Sequence, residues 1–274
     1  MSFIEFGKRV ARNAWRIPVV GHAMAYDYSR YFARRPPNRF RGVYSSFAEA
    51  ERAIPPGQRI GYDYAELTSM YGDRMKKACQ SDYAVLLWLG RVIDENRAID
   101  ANTVLFDFGG HVGISYFGWQ SYLAYPPGMR WTVYDVPTIA RAGADLAQQR
   151  GAASLAFASD FAAGKDCNVF LAAGSLQYVD LSLPDILRRI GSLPRHLLVN
   201  KVPLYDGETF VTVQSTGRAF HPYRIYNRAR FVEEIRALGY RVVDDWSNRE
   251  QHCEIPFTQG RDIDAYSGYY FERV

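Results

Sequence analysis

From residue 103 onward, the sequence alternates short apolar runs with segments long enough to form helices. Such alternation is typical of βαβ units, in which helices connect parallel strands and cover the faces of a sheet. The apolar runs predict strands at residues 103–107, 131–134, 154–157, 169–173, 196–201, 240–246 and 269–273. Helices are predicted between them at residues 114–122, 138–150, 183–190 and 228–238. We therefore expect an α/β fold with a seven-stranded, mostly parallel sheet flanked by helices.

The sequence before this alternation has a different character. Residues 46–54 and 64–94 have helical patterns, and two prolines make residues 34–38 an extended linker because proline disfavours a continuing helix. We expect two regions, a helical N-terminal region of residues 1–98 and an α/β domain of residues 99–274. Within the second region, residues 210–214 alternate apolar and polar side chains, which predicts an additional half-exposed strand beside the functional site.

The first residues of the chain form an amphipathic, basic pattern. On a helix, one side would carry Phe3, Phe6, Val10, Ala14 and Ile17, and a different side would carry Lys8, Arg12 and Arg16. One interpretation is that this helix lies on an anionic membrane surface. The other is that it packs on its own domain or on a partner subunit, which leaves a homodimer open.

Composition restricts the compartment and the partners. The chain has 274 residues, of which 48% are hydrophobic, and a formal net charge of +4. No apolar run reaches the roughly 18 residues of a membrane-spanning helix. Cys79, Cys167 and Cys253 are far apart, so we expect neither a disulfide framework nor a metal site. We expect a cytoplasmic protein, with any peripheral membrane contact at the inner face, and no nucleic-acid partner because no recognition module is present.

The first predicted strand of the sheet leads into a glycine-rich loop. Asp107 ends the apolar run and is followed by Gly109, Gly110 and Gly113, which give the pattern D-x-G-G-x-x-G. Glycines at this place allow a tight turn and the close approach of a nucleotide-like ligand to a helix N-terminus. The pattern resembles the first motif of class I S-adenosylmethionine-dependent methyltransferases, in which an acid suits the ammonium group of the cofactor. The alternative interpretation is a tight turn without a ligand.

Further acids follow the next two predicted strands. Asp135 is placed to accept hydrogen bonds from ribose hydroxyls, and Asp160 is placed to accept one from an adenine amine, although it could instead cap a helix. His111 could contact the cofactor or support the loop. The predicted residues for binding S-adenosylmethionine are Asp107, Gly109, Gly110, His111, Gly113, Asp135, Asp160, Gly174 and Ser175.

Several longer segments resemble a bacterial family of methyltransferases associated with surface-polysaccharide gene clusters. The resemblance rests on residues 42–47, 106–115, 173–178, 222–228 and 266–271, so it extends over nearly the whole chain. It implies a Rossmann-like class I methyltransferase fold. It also implies methyl transfer from S-adenosylmethionine to a hydroxyl or amine of a small molecule or a glycan precursor.

The residues for the chemistry are less sharply indicated. His221 is the best candidate for a general base, and Tyr178 could position the acceptor. Candidate substrate-binding residues, which supply amide, cationic or aromatic groups, are Gln177, Asn200, Lys201, Tyr223, Arg224, Asn227 and Arg228. The alternative for the last four is a helix cap that packs. Two other functions remain open, a nicotinamide-dependent oxidoreductase, which the glycine spacing disfavours, and a non-catalytic scaffold.

Overall fold

A computed structural model describes residues 18–61 and 75–274. The chain forms two compact units. The smaller unit consists of Met1–Gly61, Phe210–Tyr223 and Cys253–Ile263, and the larger consists of Tyr62–Thr209, Arg224–His252 and Asp264–Val274. In this division the chain passes from the smaller to the larger unit after Gly61, and two later segments belong to the smaller unit. The expected boundary at residue 99 stays a prediction.

The described residues form the following elements. The strands are β1 (Arg39–Tyr44), β2 (Val104–Phe108), β3 (Arg130–Tyr134), β4 (Leu155–Ala158), β5 (Val169–Ala173), β6 (His196–Val202), β7 (Leu204–Tyr205), β8 (Phe210–Ser215), β9 (Phe220–Asn227), β10 (Tyr240–Asn248) and β11 (Tyr266–Arg273). The α-helices are α1 (Pro18–Phe32), α2 (Phe47–Arg52), α3 (Tyr83–Ala98), α4 (Ile114–Trp119), α5 (Pro137–Gln149), α6 (Leu183–Ile190) and α7 (Arg228–Arg236).

The larger unit contains a seven-stranded sheet with the order β10-β11-β6-β5-β2-β3-β4. The pairs β6/β5, β5/β2, β2/β3 and β3/β4 are parallel, and β11 is antiparallel to both of its neighbours. The predicted α/β fold, with a mostly parallel Rossmann-like sheet flanked by helices, is confirmed.

The helices of the larger unit cover the sheet through apolar faces. Helix α6 shows why: Leu183, Ile186, Leu187 and Ile190 recur at helical spacing and pack with strand residues such as Phe170. Ser182 begins this helix with a reciprocal capping box to Asp185, and Gly191 ends it in a left-handed conformation. A second cluster, which includes Trp119, Trp131 and Leu89, brings α3 and α4 onto the same sheet.

The smaller unit contains strand β8 paired with β1 in antiparallel register. All six residues of β8 are buried, so the prediction that this strand is half-exposed is wrong. The physical reason is that both of its faces are covered. Val211 and Val213 pack with helix residues such as Phe32 and Phe47, while Thr212 on the other face donates a hydrogen bond of 3.2 Å to the Arg41 carbonyl oxygen.

The predicted basic helix at residues 3–17 and residues 64–74 of the predicted helix at 64–94 lie outside the described residues. Among the residues that are described, no helix is long and apolar enough to cross a membrane.

Candidate functional site

The site lies where the chain changes direction across the sheet. From β2 the chain continues outward through β3 and β4, and it then returns to β5 on the other side of β2. In open parallel sheets, ligands bind at such a switch point, beyond the carboxyl ends of the strands. Here these ends carry the loop after Asp107 and the loop after Ala173. A pocket at this place is lined by Cys79, Asp82, Asp107, Gly109, Gly110, Ile114, Ser115, Trp119, Ala173 and Lys201.

Asp107 is a buried carboxylic acid in this pocket. Its Oδ2 accepts a hydrogen bond of 3.1 Å from Trp131 Nε1, whereas its Oδ1 is buried and has no hydrogen-bond partner among the described residues. Burial raises the pKa of Asp107 to about 7, because an apolar environment disfavours the charged form. The hydrogen bond from Trp131 lowers that pKa and the nearby charge of Asp135 raises it, but burial dominates.

The glycines of the loop are required by contacts within the protein itself. A Cβ atom on Gly110 would overlap the carboxylate of Asp107, and a Cβ atom on Gly109 would overlap the side chain of Ser175. Gly109 also has a φ of 72°. The explanation that a side chain would collide with a ligand is therefore incomplete, since Gly109 allows the β2 and β5 loops to approach each other and Gly110 makes room for the Asp107 carboxylate. Gly113, with a φ of 85°, begins α4.

His111 and Asp135 hold the shape of this loop. The backbone N–H of His111 donates a hydrogen bond of 2.9 Å to Asp135 Oδ2, and Asp135 Oδ1 accepts one of 2.8 Å from Val136 N–H. His111 has a φ of 57°, which is uncommon for a residue with a side chain. Burial lowers the pKa of its ring to about 4, so the ring is neutral at pH 7. Loop support, one of the two roles expected for His111, is visible in its backbone.

Lys201 and Asn200, at the end of β6, contact a turn that the sequence did not single out. Lys201 Nζ lies 2.7 Å from Asp82 Oδ1, and Asn200 Nδ2 donates a hydrogen bond of 2.8 Å to the Ser81 carbonyl oxygen. The helical pattern of residues 64–94 predicts that Asp82 lies inside one long helix. In the structure it ends the short turn Gln80–Asp82 that precedes α3. The dipeptide Ser81-Asp82 before an apolar run was the available signal, because such residues often begin helices.

Four further predicted residues follow β5. Gln177 Nε2 donates a hydrogen bond of 3.0 Å to the Gly174 carbonyl oxygen, and Gln177 Oε1 is buried without a partner among the described residues. Ser175 donates a hydrogen bond to the Phe108 carbonyl oxygen, which ties the β5 loop to the end of β2. Tyr178 ends the turn Leu176–Tyr178 and is partly buried.

Asp160 has the capping role that was the alternative in the sequence. Its side chain accepts a hydrogen bond of 2.9 Å from Ala162 N–H at the start of the turn Phe161–Gly164. It is exposed, and it is not among the described residues that line the pocket.

The four predicted substrate residues around β9 make contacts within the protein. In the larger unit, Arg224 pairs with Asp180, Asn227 begins α7 by accepting a hydrogen bond of 2.7 Å from Arg230 N–H, and Arg228 Nη1 donates one of 2.9 Å to Ser267 Oγ. In the smaller unit, Tyr223 is buried and packs edge-on against Phe40. These contacts agree with the capping and packing alternative.

His221 lies in the smaller unit and is only 2% exposed. Its Nε2 lies 3.4 Å from Thr216 Oγ1, and burial lowers the pKa of its ring to about 3. A ring with so low a pKa is neutral at pH 7 but is a weak base. General-base catalysis by His221 stays a prediction, and these observations favour a structural role.

The fold and the site thus define an α/β protein with a Rossmann-like sheet and a ligand pocket at its switch point. Structural comparison finds methyltransferases. One is the 1,6-didemethyltoxoflavin-N1-methyltransferase of Burkholderia thailandensis, with 17% identity, a TM-score of 0.42 and coverage of 72% of this chain and 91% of that chain. Another is the magnesium protoporphyrin IX methyltransferase of Synechocystis, with 16% identity, a TM-score of 0.45 and coverage of 82% and 92%.

The mitomycin 7-O-methyltransferase is similar at 19% identity and a TM-score of 0.39, over 63% of this chain. The similar part spans only 49% of that methyltransferase, about half of its length. No protein-family model matches the sequence, and the comparison with curated proteins also gives no match.

Proposed function

We propose that this protein transfers a methyl group from S-adenosylmethionine to a hydroxyl or amine of a small or glycan-linked acceptor. The observation that carries the proposal is the buried Asp107 Oδ1, which lacks a partner among the described residues and belongs to a pocket at the switch point. A buried carboxylate is costly unless a cation or hydrogen-bond donors satisfy it. The ammonium group of S-adenosylmethionine supplies both.

The other residues of the loop fit the same cofactor. Asp135 follows β3, and its carboxylate, which accepts hydrogen bonds from the backbone N–H groups of His111 and Val136, is the candidate to bind the ribose hydroxyls. A dinucleotide would bring a pyrophosphate to the loop, close to Asp107. The carboxylate would repel it, which favours a cofactor without phosphates.

When bound, S-adenosylmethionine supplies an electrophilic methyl group on a sulfonium. Displacement of that methyl group requires the acceptor atom to be aligned in line and water to be excluded. Gln177 Oε1 supports this role, because a buried carbonyl oxygen without a partner among the described residues can accept a hydrogen bond from an acceptor hydroxyl or amine. Tyr178, the last residue of the same turn, is the candidate for a second contact with the acceptor.

The proton of a hydroxyl acceptor must leave during the reaction. The described residues of the pocket include Asp107, whose raised pKa of about 7 would fall beside a cation. Asp107 is therefore assigned to binding and not to proton transfer. An acceptor amine that is already neutral needs no strong base, which makes an amine compatible with this set of residues.

Calorimetry with S-adenosylmethionine, S-adenosylhomocysteine and NAD tests the cofactor. We expect micromolar binding of the first two and at least a tenfold loss in Asp107→Asn, which keeps the shape of the side chain and removes its charge. Asp145→Asn, on the exposed side of α5, is the matched control and should bind like the original protein. Binding of NAD alone would overturn the proposal. If none of the three ligands binds, the alternative function of a non-catalytic scaffold is favoured.

The acceptor class requires its own experiment, because the glycan-linked acceptor rests on the family resemblance alone. Radiolabelled S-adenosylmethionine is incubated with the protein and with simple sugars, amino sugars or nucleotide sugars in separate reactions. Label transfer to one of these classes would support the glycan-linked acceptor. Cofactor binding without transfer to any of them would reject that acceptor and leave the cofactor assignment intact.

A further inference from the structure

Lys201 is held in an unusual position at the pocket. It follows Asn200 on β6 and has a φ of 58°, a left-handed conformation that side-chain-bearing residues rarely adopt. Its backbone N–H donates a hydrogen bond of 3.0 Å to Asn200 Oδ1. Its side chain is 16% exposed and lines the same pocket as Asp107. Strained backbone of this kind is concentrated at functional sites.

Asp82 fixes the ammonium group of Lys201. Asp82 Oδ1 lies 2.7 Å from Lys201 Nζ, while Oδ2 accepts hydrogen bonds of 3.0 Å from Cys79 N–H and 3.4 Å from Trp119 Nε1. The carboxylate is therefore engaged on both oxygens and is 9% exposed. A carboxylate so held is suited to orienting a lysine and poorly suited to binding a ligand itself.

Asn200, the residue before Lys201, holds the end of β6 through its own side-chain hydrogen bonds. Its side chain is buried, its Nδ2 bonds to the Ser81 carbonyl oxygen and its Oδ1 accepts a hydrogen bond of 3.0 Å from Trp246 Nε1. The turn at residues 79–82 is thus attached to the end of β6 through two neighbouring side chains. This attachment leaves Lys201 little freedom to leave the pocket.

We propose that Lys201, positioned by Asp82, binds the carboxylate of the cofactor's amino-acid end while Asp107 binds its ammonium group. The pocket then selects a zwitterion, because Lys201 offers the ligand a cation and Asp107 offers it a buried anion, while the Asp82 carboxylate is engaged by Lys201. An ammonium group has three hydrogen-bond donors, of which Asp82 uses one. The inference rests on the proposed function and gives Lys201 a different role from the acceptor contact expected from the sequence.

The test compares S-adenosylmethionine with its decarboxylated form, which retains the ammonium and the sulfonium but lacks the carboxylate. Calorimetry should show at least tenfold tighter binding of S-adenosylmethionine to the original protein. In Lys201→Met the two ligands should bind equally, with the affinity for the decarboxylated form changed less than twofold. In Asp82→Asn the preference should shrink, because the lysine loses the charge that positions it.

Two controls separate the possible outcomes. Lys165→Met removes an exposed lysine and should keep the full preference. Circular dichroism and thermal unfolding show whether each variant is folded. A loss of fold would lower the affinity for both ligands, whereas the proposed role of Lys201 affects only the affinity for S-adenosylmethionine. If Lys201→Met keeps the tenfold preference, the inference is wrong, while binding of S-adenosylmethionine to the original protein would leave the proposed function standing.

An anionic acceptor is the competing role for Lys201, and the same experiment recognises it. In that case Lys201→Met would leave the preference for S-adenosylmethionine unchanged, which overturns our assignment. Failure of the original protein to bind S-adenosylmethionine at all would instead reject the proposed function, so the two failures are distinguishable.

Discussion

Trp131 Nε1 donates a hydrogen bond of 3.1 Å to Asp107 Oδ2 across two neighbouring parallel strands. Both residues are buried, so a carboxyl group is kept between apolar side chains with one oxygen satisfied. Such a group destabilises the folded protein whenever it is charged. The proposed binding of the cofactor's ammonium group accounts for such a carboxyl group at the pocket.

The stability of the protein should therefore depend on Asp107 in a defined direction. The pKa of this acid is raised from 3.8 to about 7, so the folded state binds more protons than the unfolded state between these values. Its contribution to the free energy of unfolding falls as pH rises through this window. At pH 8, Asp107→Asn should raise the free energy of unfolding by roughly 1–4 kcal/mol, which is measured as unfolding at a higher urea concentration. At pH 4 the difference should nearly vanish, and an equal gain at both values would contradict the assignment.

Binding of S-adenosylhomocysteine should have the opposite dependence on pH. The ligand's ammonium group requires the charged form of Asp107, which is a minor form below pH 7 in the free protein. We expect the affinity to rise with pH by up to about tenfold per unit below pH 7 and to level off above it. Calorimetry in buffers of different ionisation enthalpy should detect proton release at pH 6. A flat profile would show that Asp107 does not bind the ammonium group.

The ion pair between Asp82 and Lys201 should contribute to stability in a non-additive way. Removing one partner leaves a mostly buried charge, so Asp82→Ala should lower the free energy of unfolding by about 2–4 kcal/mol. The double variant Asp82→Ala, Lys201→Met should lose less than the sum of the two single variants. Urea unfolding of all four proteins measures this coupling, and strict additivity would mean that the pair is not formed.

Gly110 should be more sensitive to substitution than a glycine that is needed only for its backbone conformation. Gly110→Ala places a Cβ atom against the Asp107 carboxylate and should destabilise the protein by about 1–3 kcal/mol. Gly151→Ala is the control, because Gly151 has a φ of 63° and open space around it, and it should cost about 1 kcal/mol. Adding Asp107→Ala should relieve much of the Gly110→Ala defect; if it does not, the predicted overlap is not the cause.

The basic N-terminal pattern leads to a separate prediction, which concerns membranes. We propose that residues 3–17 attach the protein to anionic lipid, and in α1 the exposed Val19 and Tyr26 extend the apolar character of this end. The full chain should sediment with vesicles that contain phosphatidylserine, and the bound fraction should fall as salt increases. Replacing Lys8, Arg12 and Arg16 with glutamine should abolish sedimentation. Absence of sedimentation at low salt would reject the lipid role.

The sheet could be predicted closely because its central strands β2, β5 and β6 are buried on both faces and form apolar runs. Strand β5 begins and ends where predicted, β3 begins one residue earlier, and β2 and β4 are each shifted by one residue at both ends. Strands β1 and β9 were missed. The first contains arginines at alternate positions, and the second contains polar residues and Pro222, so neither has an apolar run. Their pairing with distant segments also leaves no mark in the local sequence.

The site was predictable at strand ends and less so elsewhere. Topology brings Asp107 and Lys201 into one pocket, as the positions of their strands imply. Asp82 was missed because the helical pattern of residues 64–94 gives no separate signal for the turn Gln80–Asp82. Asp160 and Asn227 were chosen for their residue type, but that type also caps helices, and in the structure their oxygens accept backbone hydrogen bonds. Residue type alone does not distinguish these two uses.

The turn at residues 79–82 also determines how much of the N-terminal region the proposed ligand pocket requires. A shortened protein that begins at residue 83 would retain α3 and all seven strands of the large sheet. It would lack Cys79 and Asp82, and with them one wall of the pocket and the carboxylate that holds Lys201. If the proposed site is correct, deletions that extend through residue 82 should remove ligand binding before they remove the sheet.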